Sequence, residues 1–111
     1  MRQLKFRTYL DGIGFKFFKV GEDRIISTKN GANQFTGLSD RLGIEIYEGD
    51  IIHAFSVEKP LEVVYRNGAF GYFGVFHNSF ESFAGNYNFD FSKLDIEVIG
   101  NIYENKELLD D

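Results

Sequence analysis

The stretch TGLSDRLGIEIYEGDIIHAF, Thr36–Phe55, gathers Glu45, Glu48, Asp50 and His53 around two turn signals. It reads either as an acidic active site or as the tight geometry of a small β-barrel carrying solvated charges. Alternation decides between the two. Residues two apart on a strand share a face, so Asp50 lies with Ile52 and Ala54, while His53 points the other way with Ile51 and Phe55. On a regular strand Asp50 and His53 therefore cannot hold one ion. The spacing matches neither a calcium loop nor a two-histidine metal motif. Glu48-Gly49-Asp50 is instead expected to form a turn, with Asp50 accepting backbone N–H bonds before the next strand. No catalytic, cofactor or metal role is assigned to Glu45, Glu48 or Asp50.

Strand and turn signals continue in both directions. LKFRTYL at 4–10 alternates, with Lys5, Arg7 and Tyr9 on one face. Asp11-Gly12 turns, FKFFKV follows, and RIIST at 24–28 supplies a third strand of a basic, hairpin-rich module ending near residue 33. On the far side, PLEVVYRNGAFGYFGVF at 60–76 places Asn67-Gly68 between two apolar runs, the strongest short hairpin signal. Counting outward pairs Arg66 with Ala69, Tyr65 with Phe70, Val64 with Gly71 and Val63 with Tyr72. Residues 76–94 read either as an aromatic-rich loop or as holding one helical turn over FESFA, capped by Asn78-Ser79. DIEVIGNIY is a final strand, after which Asn105 starts a single helical turn through KELL.

These elements make one mainly β domain over residues 1–111: basic hairpins over 1–33, a small, strongly bent barrel over 34–111, and little helix beyond the C-terminal turn. The composition agrees, with 13 Phe and 6 Tyr among 111 residues. There is no cysteine, which excludes disulfides, thiolate catalysis and cysteine-type zinc sites. No apolar run has the length of a signal peptide or a membrane span, so the expectation is a soluble cytoplasmic protein without membrane contact.

Three stretches carry a family resemblance. FTGLSDRLGIEIYEGDII at 35–52 resembles the signature of the YopX family of bacteriophage and prophage proteins, EVIGNIYENKELL at 97–109 is similar to its closing motif, and LKFRTYL at 4–10 to its start. Arg41-Leu42-Gly43 stands where a lysine-asparagine-glycine turn is usual, and Lys106 where proline is usual. The resemblance implies a mainly β fold with an SH3-like barrel, a phage or prophage origin, and a bacterial host cytoplasm. It carries no enzymatic activity and no functional residues.

Two surfaces remain as candidates. Residues 70–91 hold nine Phe or Tyr and no Lys or Arg. Rings that stack on bases need cations to follow the phosphates, so this run is expected to meet protein, through Phe76, Phe80, Phe83, Tyr87 and Phe89. Self-association is the simplest way to bury them. Residues 1–30 carry seven Lys/Arg against three Asp/Glu, and residues 31–111 five against fourteen, which favours a head-to-tail homo-oligomer. The alternative is nucleic-acid binding through Lys5, Arg7, Lys16, Lys19 and Arg24, which the net charge of −5 disfavours. His53 is read as a barrel residue. His77, Ser79 and Glu81 are near in sequence but lack the remaining parts of a nucleophilic site. A non-enzymatic module with no cofactor and no small-molecule substrate is the resulting expectation.

Overall fold

The computed structural model describes residues 5–19, 31–54, 59–66, 69–73, 80–82 and 96–109. They are mainly β, with almost no helix, and the strands curl as a half-barrel. In chain order the strands are β1 (Lys5–Leu10), β2 (Gly14–Lys19), β3 (Asn33–Ser39), β4 (Glu45–Tyr47), β5 (Asp50–Ala54), β6 (Leu61–Glu62), β7 (Val64–Arg66), β8 (Ala69–Phe73), β9 (Phe80–Ser82) and β10 (Ile96–Asn101). A 3₁₀ turn, Lys106–Leu109, follows. The strands pair in the orders β2-β1-β3-β4, β10-β5-β6 and β7-β8-β9, and every registered pair is antiparallel.

β1 and β2 form the expected hairpin, with Arg7 opposite Phe17 and Tyr9 opposite Phe15. Its other edge pairs with β3, through Phe6↔Gln34 and Arg7↔Asn33. The basic hairpin thus continues the sheet that leads into the Thr36–Phe55 stretch. The expected strand at 24–28 lies outside the described residues.

β5 sits in the middle of its sheet, and Ile51 and Ile52 are both fully buried despite pointing to opposite faces. Ile46, Ile52, Ala54, Leu61, Val63 and Ile96 form the core, with Leu38, Phe70 and Val98 packed against it. Each fully buried isoleucine contributes about 1.5–3 kcal/mol. A bulge at Ile99 puts Gly100 opposite Ile51 and Asn101 opposite Asp50.

Two expectations are corrected. The hairpin register is as counted from Val64↔Gly71 to Arg66↔Ala69, but Val63 leaves it. Its N–H donates to Asp50 O and its C=O accepts from Gly49 N, so it is held by the turn before β5 and is fully buried, whereas Tyr65 stays exposed. The FESFA segment is not helical where it is described: Phe80–Ser82 is β9, with Phe73↔Phe80 and Gly71↔Ser82. The edge of β8 offers those residues a hydrogen-bonded ladder, which outweighs a one-turn helix that would have to nucleate alone.

Candidate functional site

The Glu48-Gly49-Asp50 turn is where the three family-like stretches meet. Gly49 takes φ +88°, a conformation that favours glycine. Three backbone groups of the turn have distant partners: Glu48 N–H donates to Gln34 O on β3, Gly49 N–H to Val63 O, and Ile102 N–H to Gly49 O. Asp50 Oδ2 accepts from Tyr47 N–H at 2.7 Å, a backbone N–H bond of the kind expected for this turn.

Its other oxygen has a partner the sequence did not reveal. Arg7 Nη2 lies 2.7 Å from Asp50 Oδ1 and also donates to Glu48 O at 3.3 Å. Arg7 is 5 % exposed and Asp50 2 %. The guanidinium stands 3.9 Å from the centroid of the Phe15 ring and 5.0 Å from that of Tyr47, both within cation–π range. Burial raises the Asp50 carboxyl above its ordinary value, while Arg7 and the Tyr47 N–H pull it back part of the way. Burial, followed by the Glu45 carboxylate, pushes the Tyr47 phenol up to about 12.

Rings extend from this pair in both directions. Tyr9 stacks on Tyr103 at 5.0 Å with planes 4° apart, and Phe15 meets Tyr103 edge-on at 5.8 Å. Phe17 meets Tyr47 at 5.6 Å, and Phe35 meets Tyr47 at 5.4 Å. Lys5 Nζ lies 4.7 Å from the Phe35 centroid and is ion-paired with Glu45. Among the described residues rings and cations do meet, in a set drawn from residues 5–47 and 103. Part of the signal was present in the sequence, since Lys5, Arg7 and Tyr9 alternate on one face.

This face opens into a groove of about 260 Å³ lined by Lys5, Phe17, Phe18, Lys19, Glu45 and Tyr47. Phe17 is 57 % exposed at its edge, and Ile13, at the hairpin tip, is 82 % exposed. The acidic trio does not converge. Glu45 pairs with Lys5, Glu48 Oε1 accepts from Gln34 N–H at 3.4 Å, and Asp50 holds Arg7. Among the described residues no group of three or more His, Asp or Glu could hold a metal ion.

Of the basic residues singled out in the sequence, Lys5 and Lys19 line the groove, and Lys16 is exposed opposite Thr8. Arg7, expected as a surface cation, is buried against Asp50, because a ring-lined pocket and a carboxylate meet it there. Arg24 lies outside the described residues. So do Phe76, Phe83, Tyr87, Phe89 and His77, while Phe80 is placed on β9 by its backbone pairing. His53 is half-buried on β5 opposite Glu97.

A second acidic residue, which the sequence reading passed over, ties the signature to the closing strand. Asp40 Oδ1 accepts from Leu42 N–H and Ile44 N–H, each at 2.9 Å, and Oδ2 from Val98 N–H at 2.9 Å. The positive φ of that turn, +84°, falls on Gly43. In the closing motif Asn101 Oδ1 accepts from Tyr103 N–H and Glu104 N–H, each at 3.0 Å, and Asn105 turns its Oδ1 back to Asn101 N–H at 3.3 Å.

A search among curated proteins found no match. The stretches 35–52 and 97–109 both fall inside the region covered by a protein family, and 4–10 precedes it. Residues 13–110 match the family described as YopX protein, and the chain belongs to that family.

Proposed function

We propose that this chain is a phage-encoded, non-enzymatic interaction module: an SH3-like barrel, extended by a basic N-terminal hairpin, that binds protein in the cytoplasm of a bacterial host and most simply binds a second copy of itself. One contrast carries the reading. The buried charged residues, Arg7, Asp40 and Asp50, are engaged in holding strands and turns together, while Ile13, Phe17, Leu42 and Ile44 are more than half exposed. Large apolar side chains left in solvent favour a protein partner. Sedimentation velocity over the micromolar range tests this. The expected species is heavier than the 12.8 kDa chain, and Phe17→Ser with Ile13→Ser returns it to that mass. A single 12.8 kDa species at every concentration overturns self-association.

One observation favours a second reading, nucleic-acid binding: the exposed Phe17 ring stands in a groove with Lys5 and Lys19. The Lys5–Glu45 pair and the burial of Arg7 work against it. Retardation of single- or double-stranded probes at low salt that fades steeply as salt rises would support it. No retardation at low salt removes it.

A further inference from the structure

We infer that an internal water molecule binds between Arg7 and Asn33, bridging β1 to β3 behind the Arg7–Asp50 pair. The two residues face each other directly in the strand register and are both more than nine-tenths buried. Each has one polar atom with no protein partner: Nε of Arg7 and Oδ1 of Asn33. Their other groups are engaged, Arg7 Nη2 with Asp50 and Glu48 O, and Asn33 Nδ2 with Tyr103 Oη at 3.0 Å.

The chemistry of the two orphans selects the ligand. Nε–H needs an acceptor and Oδ1 needs a donor, so the occupant must do both. An anion would meet Asn33 Oδ1 and the Asp50 carboxylate, a cation would meet the guanidinium, and an apolar group would satisfy neither atom. Water, accepting from Nε–H and donating to Oδ1, does both, and buried waters characteristically sit between such groups. Gly49 lies beside the Asn33 amide. A Cβ there would stand 3.5 Å from Asn33 Cγ, Nδ2 and Oδ1 alike, in ordinary contact, and glycine supplies none.

The test is an atomic-resolution crystal structure of the unaltered chain, with solution NMR to detect magnetisation transfer between Arg7 Nε–H and long-lived water. The expected result is a solvent peak within hydrogen-bond distance of both atoms, roughly 2.7–3.2 Å, and a cross-peak to water. A direct Nε–H to Oδ1 bond, another side chain in that place, or a dry gap overturns the inference. In folded Asn33→Leu both signals are lost. Persistence of the bridging water there overturns the assignment of Oδ1 as its acceptor. The wild-type measurement decides the matter if that variant does not fold. The site does not depend on what the groove binds.

Discussion

Replacing Asp50 by Asn removes a charge while keeping an oxygen for the Tyr47 N–H, so it isolates what the carboxylate does for Arg7. The guanidinium would stay 5 % exposed with no counter-charge. Breaking a buried pair from one side costs about 3–5 kcal/mol, against a total stability of about 5–15 kcal/mol for a domain. Arg7→Met strands the carboxylate instead, at a similar cost near pH 7. The double variant Arg7→Met/Asp50→Asn loses both charges and keeps the Tyr47 bond. It is therefore expected to be more stable than either single variant, with a coupling of about 1–3 kcal/mol. Urea unfolding followed by tyrosine fluorescence measures all four corners of this cycle.

Proton linkage provides a second readout from the same variants. The raised Asp50 carboxyl means that the folded chain holds a proton which the unfolded chain has released, between the ordinary carboxylate range and the folded value. Stability from this group is thus fully present below the ordinary range and falls as pH climbs through the folded value. Without Arg7 the carboxyl rises further, so the Arg7→Met deficit is largest near neutrality and shrinks on acidification. Single deficits that simply add in the double variant, or an Arg7→Met deficit independent of pH, would refute the view that the two charges are paired in a desolvated site.

Asp40→Ala removes the acceptor of three backbone N–H groups and is expected to cost about 2–3 kcal/mol, with Asp40→Asn milder, as read from thermal unfolding. Gly100→Ala places a Cβ 2.8 Å from Asn105 Cβ and is expected to cost about 1–3 kcal/mol, with amide shifts at Asn101 and Asn105 reporting the displaced closing turn. Tyr47 is expected to ionise near 12 in an ultraviolet pH titration. Its raised value stabilises the fold below the ordinary tyrosine range, and that stabilisation fades as pH rises through 12. Tyr47→Phe should remove this titration step.

What could be read in the sequence followed from local geometry. The β7–β8 register came from counting outward from Asn67-Gly68, because a two-residue turn fixes which residues face each other. The backbone N–H bond to the Asp50 carboxylate, which Tyr47 supplies, and the turn after Asn105 were also local, spanning three residues each. What was missed depends on distant strands. Nothing near Arg7 in the chain announces Asp50, and nothing near Asp40 announces Val98. Phe80–Ser82 was read as part of a helical turn or a loop, and its strand pairing depends on the edge of β8, which local sequence does not announce. The groove was legible only in part: alternation put Lys5, Arg7 and Tyr9 on one face, but neither their register against Phe15 and Phe17 nor which cation would be buried.

The two internal stretches that resemble the family signature are two sides of one joint. Asp40 binds Val98, Arg41 N–H donates to Ile96 O, Gly49 O accepts from Ile102 N–H, and Asp50 faces Asn101 across the ladder. Two acidic residues of the signature, Asp40 and Asp50, therefore have architectural partners in the fold. Asp40 and Asp50 accept the N–H groups of turns and strands that would otherwise be unpaired, and Gly43 and Gly49 take the positive φ. A motif built this way specifies how the ends of the chain are joined to its middle. The groove lined by Lys5, Phe17, Phe18, Lys19, Glu45 and Tyr47 lies outside this joint. A search for function in this chain accordingly belongs at Phe17, Lys5 and Lys19, away from the acidic turn.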